Sequence, residues 1–225
     1  MRHADEATSP SPASAERDLR TGLLPQQRFT LATRLDMLRR PHWLATVATR
    51  RPRFVNIERE LGEGQNVNSF VGHGLFDASF SWDDVKRFRD RWPRKLLLKG
   101  VLRADDAERA VAAGVDGIVL SNHGGRQLDG AISGLDALPE VVRAVGGRAA
   151  ILVDGGVRRG SDIAKAVALG AEGVLLGRAP VYGLAAGGEK GVARAIAILA
   201  DELDRTLALT GCPDVAALSA DLIAH

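Results

Sequence analysis

Four short apolar runs in the second half of the sequence end in residues that can do chemistry. Leu96-Leu97-Leu98 runs into Lys99-Gly100, and Gly117-Ile118-Val119-Leu120 into Ser121-Asn122-His123-Gly124-Gly125-Arg126. Ala150-Ile151-Leu152-Val153 runs into Asp154-Gly155-Gly156-Val157-Arg158, and Gly173-Val174-Leu175-Leu176 into Gly177-Arg178. Histidine titrates near neutrality, so His123 can serve as a base, and the Arg126 guanidinium can hold a carboxylate through two hydrogen bonds. That pair suits a 2-hydroxy acid, which needs a base for its hydroxyl or α-carbon proton and a cation for its carboxylate. A lone histidine is more often a surface or satisfied core residue; the glycines and arginine around this one argue for chemistry. In the third and fourth endings, glycines let backbone amides approach an anion and Arg158 and Arg178 add charge, which reads as a phosphate site. Either ending alone could be an ordinary turn with a salt bridge. Each follows an apolar strand directly, with one helix between them. Lys99 by itself reads as a solvated lysine at a strand edge. No group of residues reads as a metal site.

Bringing these endings to one face requires strands that alternate with helices. The pattern predicts strand Lys95–Lys99, helix Ala104–Ala113 stopped by Gly114, strand Gly117–Leu120, and a helix near Leu135–Val145 stopped at Gly146-Gly147. Strand Ala149–Val153 and helix Ser161–Leu169 follow, the helix capped by Ser161 and closed by Gly170. Strand Gly173–Leu176 then leads through a connection, Ala179 to Glu189, into a long helix from Gly191 to about Leu209. In that helix Val192, Ile196, Leu199, Leu203 and Leu207 recur at the spacing of one buried face. Continuously apolar strands alternating with helices mean an α/β fold with a parallel sheet covered on both faces. The choices are a small doubly wound sheet or part of a (βα)8 TIM barrel, and strand ends aimed at one ligand favour the barrel. Four βα units are evident, so the expectation is strands five to eight, with a helical and irregular amino-terminal segment.

The chain of 225 residues is 45% hydrophobic and 26% charged with 25 glycines, a globular composition rich in turns and close backbone approaches. A net charge of +2 is too mild to argue nucleic-acid binding. A lone cysteine, Cys212, excludes an internal disulfide, fits a reducing compartment, and reads as a small buried residue after the last helix. No apolar run nears the roughly 20 residues of a membrane span, and the first 16 residues lack a secretory apolar stretch, so a cytoplasmic location is expected.

Residues 1–16, rich in Ser, Pro and Ala, are expected to be a disordered tail. Residues 17–91 form a basic helical and loop segment, and residues 92–225 the half-barrel domain. From Arg17 to Arg53 nine arginines stand against two aspartates. That excess reads as a solvated face, or as a docking surface for an acidic partner or anionic lipid. Helical turns are expected at Leu31–Leu38 and Trp43–Thr49, a short strand at Phe54–Ile57, a mobile loop from Gly62 to Gly74, and a helix capped by Ser81 running to about Trp92. Asp129 and Asp162 receive loop and helix-start roles and none in catalysis.

The stretch Ser-Asn-His-Gly-Gly-Arg-Gln-Leu-Asp from Ser121, with Lys99-Gly100, the Asp154–Arg158 ending and Gly177-Arg178, closely resembles the FMN-dependent α-hydroxy-acid dehydrogenases and oxidases. The likeness runs from about Arg17, strongly after Asp77, and covers the carboxyl-terminal half of that family. The resemblance implies a flavoprotein oxidoreductase of the lactate and mandelate dehydrogenase type with FMN as cofactor. It makes His123 the catalytic base and Arg126 the substrate-carboxylate ligand. By the same resemblance Lys99 is expected beside the pyrimidine end of the flavin, with Ser121 touching it. Asp154, Gly155, Gly156, Val157, Arg158, Gly177 and Arg178 cradle its phosphate and ribityl chain. A second substrate arginine of the family falls on Ala15, the aspartate that orients the histidine falls near Thr8, and the first four strands would lie upstream. The alternative is a non-catalytic half barrel that binds FMN or phosphate, or assembles with a partner. Half a barrel exposes two sheet edges, so a homo-oligomer is expected. The small-molecule partner is a 2-hydroxy acid. Because some family members contact membranes, a peripheral position at the inner membrane face stays open.

Overall fold

The apolar runs form strands β1 (Leu97–Val101), β2 (Gly117–Leu120), β3 (Ala150–Asp154) and β4 (Gly173–Leu175). They make one parallel sheet in which chain order is spatial order, β1-β2-β3-β4. A doubly wound sheet reverses its order at a switch point, whereas an unreversed series of βα units is an arc of a barrel. The structure is a computed structural model that describes residues 31–41, 44–45, 59 and 79–223. By chain contacts it divides into two units, Met1–Phe80 and Ser81–His225. In the first, helix α1 (Leu31–Leu38) stands where expected, and Leu44 and Ala45 are helical. The tail, the Phe54–Ile57 strand and the Gly62–Gly74 loop lie outside the described residues.

The second unit adds helices α2 (Trp82–Arg91), α3 (Ala104–Ala112), α4 (Gly134–Val145), α5 (Gly160–Ala168) and α6 (Arg178–Thr210). Two of them begin where nearby side chains take up the first amides. Asp84 Oδ2 accepts from the Ser81 amide and hydroxyl, each at 2.7 Å, ahead of α2. The Ser133 hydroxyl accepts from the Asp136 amide at 3.1 Å ahead of α4. Alternate strand residues Ile118, Leu120, Ile151 and Val153 pack with Ala107 and Ala110 of α3 and with Leu138, Val141 and Val145 of α4 to form the core. Full burial of each larger aliphatic among them stabilises the fold by roughly 1.5–3 kcal/mol. The opposite side of the sheet carries Leu97, Lys99, Val119, Leu152 and Asp154, which share one parity through the register Lys99↔Val119 and Val119↔Leu152. On that side Leu97 is 45% exposed and Val119 4%, so among the described residues this face is only partly covered, whereas cover on both faces was expected. It is the side that a closed barrel turns inward.

Several boundaries differ from expectation. Strand β1 starts at Leu97 rather than Lys95 and continues past Lys99 through a bulge, since Lys99 pairs with Val119 and Val101 with Leu120. Ser161 does not cap α5: Arg159 is the residue before the helix. The carboxylates of Asp162 and Glu202 take the amides there, from Arg158 and Arg159 at 2.9 and 3.0 Å and from Gly160 at 2.9 Å. The Ala179–Glu189 connection is helical from Arg178, and α6 breaks at Gly187-Gly188. Gly183 is tolerated because it packs against Gly191 across that break. On α6 Leu199 is buried but Ile196 is 50% exposed, so the five-residue face is only partly covered. Cys212 is half-buried rather than buried.

Candidate active site

The strand ends converge through one buried hydroxyl. Among the described residues, Ser121, 1% exposed, is the one buried polar residue. Val119 faces the inner side, and Ser121, two residues on, keeps that parity; the same step carries Leu152 to Asp154. The Ser121 hydroxyl accepts from Lys99 Nζ at 3.0 Å and from the His123 amide at 3.0 Å, and donates to Asp154 Oδ2 at 2.8 Å. Lys99 Nζ also lies 2.7 Å from Asp154 Oδ2. Burial pushes the Asp154 carboxyl up, but hydrogen bonds from Lys99 and Ser121, the Lys99 charge and the nearby His123 together hold it below the usual carboxylate value.

His123 opens a short 3-10 turn, His123–Gly125, with φ of 55°, a left-handed conformation that it alone adopts among the described non-glycine residues. Such backbone is costly for a residue with a Cβ and persists only where neighbours enforce it. Asn122 Oδ1 enforces it from one side by accepting the Gly125 amide at 3.1 Å. Gly100 enforces it from the other. A Cβ at Gly100 would stand 3.0 Å from His123 Cε1, so the imidazole rests on the bare backbone of the β1 bulge, where φ is 102°. His123 and Arg126 are both exposed, and Arg126 leaves the turn as its carboxyl-terminal cap.

A cavity of about 320 Å³ adjoins this network, within the range of small-molecule sites. Of the expected cofactor residues, Asp154, Gly155, Gly156, Val157 and Arg178 line it, whereas Lys99, Ser121, Arg158 and Gly177 do not. His123 and Arg126 stand outside its lining as well. Gly155 and Gly156 have φ of 105° and 78°, and nothing lies within 4 Å of a Cβ placed at Gly156. Arg178 reaches over Gly124, its Nη2 3.2 Å from the place of a Cβ there. The neighbouring Arg159 is engaged elsewhere, with Nη1 2.8 Å from Glu202 Oε1. A glycine-walled cavity with a guanidinium at its side is a fitting place for a phosphate. Sequence reasoning missed Asn122, which holds the turn and lines the cavity; Asp162 has the expected helix-start role, accepting the Arg158 and Arg159 amides, and lines the cavity as well. The asparagine ahead of two glycines was the available signal for a side-chain-bonded turn.

Comparison with known proteins gives this geometry its context. The family model described as FMN-dependent dehydrogenase matches residues 8–225, beginning upstream of the Arg17 expected. The chain belongs to the FMN-dependent dehydrogenase family. Within this family, (S)-mandelate dehydrogenase of Pseudomonas putida is 46% identical over 209 residues, 92% of this chain and 53% of that protein. L-lactate oxidase of a Nostoc species is 52% identical over 158 residues, 70% of this chain and 43% of that protein. A crystal structure of (S)-mandelate dehydrogenase, described as a monotopic membrane protein, superposes with a TM-score of 0.80 at 44% identity, covering 92% of this chain and 55% of that one. The chain therefore spans about half the length of the relatives it matches. The fold of this family member is accordingly part of a TIM barrel, and the cofactor of the family is FMN. Among the described residues no helix is long and apolar enough to cross a membrane.

Proposed function

We propose that the protein takes part in FMN-dependent oxidation of a 2-hydroxy acid, of the L-lactate or mandelate class, to the 2-oxo acid. The observation that carries this reading is the Lys99–Ser121–Asp154 network, which fixes His123 at the strand ends beside a glycine-walled cavity. The residues fit FMN. Gly155, Gly156 and Val157 with Arg158, Gly177 and Arg178 would hold its phosphate and ribityl chain, and Lys99, Ser121 and Asp154 would lie at its ring. When bound, FMN supplies the two-electron acceptor. Arg126 binds the substrate carboxylate through paired hydrogen bonds and so presents the hydroxyl-bearing carbon to His123. His123 Nε2 or Nδ1 accepts the proton that substrate releases as that carbon is oxidised. Lys99 provides a fixed cation where negative charge develops.

The relatives' names support this substrate class. The test is to add FMN to the purified full chain, follow quenching of flavin fluorescence, and then add L-lactate or (S)-mandelate without oxygen. Saturable quenching followed by bleaching of the bound flavin is expected. Absence of both counts against the reading. A second reading, a half barrel that binds FMN without turnover, is favoured by the half-exposed Leu97 on the inward side. It predicts quenching with no bleaching by any 2-hydroxy acid. We further place the protein in the cytoplasm as a homo-oligomer, with peripheral contact at the inner membrane face through its arginine-rich stretch.

A further inference from the structure

We propose that Asn122 and Gly124 are positioning residues that make the His123 turn a wall of the anion cavity, so that an anion held there fixes the pose of the base. The proposal rests on the phosphate and base roles assigned above. His123 stands outside the lining of the cavity, but the residues on both sides of it, Asn122 and Gly124, belong to that lining. Asn122 joins this wall to the glycine loop after β3. Its Oδ1 accepts the Gly125 amide at 3.1 Å and stands 3.9 Å from the place of a Cβ at Gly155. Gly124 meets the cation: Arg178 Nη2 lies 3.2 Å from the place of a Cβ there, and Cζ 3.9 Å. The guanidinium rests on the residue that follows the base, where any side chain would stand in its way.

His123, Gly124 and Gly125 follow one another with φ of 55°, 72° and 72°. Left-handed residues are tolerated singly, so a run of them depends on contacts that hold it from outside. Ser121 takes the first amide of the run and Asn122 the last, while Arg178 covers the middle. The first two grips are hydrogen bonds to the backbone. The third depends on charge. Against an uncharged glycine, a guanidinium on a long side chain is a loose cover. Once it pairs with a phosphate in the cavity, charge-assisted hydrogen bonds tie it down, and the glycine beneath it loses room to move. Linkage makes the effect mutual: an anion that steadies the turn is bound more tightly where the turn is already steady. Arg178, Gly124 and Asn122 thereby couple the cofactor phosphate to the base, although His123 does not line the cavity.

The experiment uses the full chain without flavin, inorganic phosphate as the probe, and sodium chloride at equal ionic strength as the control. The His123 Cε1–H line is read by NMR at one pH, assigned by its loss in His123→Gln. Phosphate binding is read separately from the phosphorus line, and each protein is compared at phosphate levels that saturate it. The wild-type line should move saturably and sharpen with phosphate, and stay in place with chloride. Asn122→Ala should bind phosphate roughly fivefold more weakly, the lower end of ordinary coupling between two sites, and its His123 line should not follow saturation. Gly124→Ala, whose side chain would stand where Arg178 lies, should behave alike, with circular dichroism unchanged in both. If neither variant folds, Arg178→Gln, at an exposed position, is read the same way. A wild-type line unmoved at saturation, folded variants whose lines still follow phosphate, or no phosphate binding at all overturns the proposal. Bleaching of bound flavin by a 2-hydroxy acid alongside an unmoved line would sink the coupling and leave the functional reading standing. A moving line without FMN binding would do the reverse.

Discussion

Lys99 Nζ lies 2.7 Å from Asp154 Oδ2, a pair that joins β1 to the end of β3 across the whole width of β2. The two residues share the inward parity of their strands, and Ser121 fills the space between them. A strand-edge lysine that would ordinarily be solvated is thereby held over the site.

Asp154→Asn should therefore be destabilising near neutrality and harmless in acid. The folded carboxyl titrates below its unfolded value, so its contribution is present above the unfolded pKa and disappears as pH falls through the folded one. With Lys99 40% exposed and partly screened, about 1 kcal/mol is expected at pH 7. Urea midpoints of wild type and variant should converge as pH falls below the unfolded carboxylate value of about 4.

On the proposed chemistry, His123→Gln should lower turnover by about 10²–10⁴-fold, the usual worth of a positioned base. Arg126→Lys should act mainly on KM, because an ammonium cannot reproduce the forked grip on a carboxylate. Neither variant should weaken FMN binding more than a fewfold. Steady-state kinetics and flavin titration on the same preparations check both statements.

Gly160→Ala should break the junction of α5 and α6. A Cβ there would overlap the Leu203 amide nitrogen and the Glu202 carbonyl carbon, and backbone cannot step aside as a side chain can. The Gly160 amide would also leave Glu202, which accepts it at 2.9 Å. A loss of more than about 3 kcal/mol is expected, measured as thermal unfolding or as failure to recover soluble protein.

Leu138→Ala removes a side chain that is 0% exposed between α4 and the sheet. The lost transfer energy and the cavity together should cost about 2–5 kcal/mol. Because the site lies at the strand ends and the change at the helix layer, flavin affinity of the folded fraction should be retained. Denaturation followed by circular dichroism, with FMN titration below the transition, tests both halves.

A continuous apolar run was enough for β2, which runs Gly117–Leu120 as expected, and a glycine pair for the stop of α4 at Gly146. Apolar period, turn glycines and first-turn acids are short-range signals, and they act over a few residues. The motif residues were legible too, because Lys99, Ser121, His123 and Asp154 stand at the ends of such runs. The committed state of the Ser121 hydroxyl and the exposure of Leu97 on the inward face were not. Nor were the α5 start, where Glu202 from 42 residues away supersedes Ser161, and the helix at Arg178, where Gly183 is paired with Gly191. Each of these depends on an atom brought from a distant part of the chain, and pairing partners, burial and the field around a carboxylate exist only once the strands lie side by side.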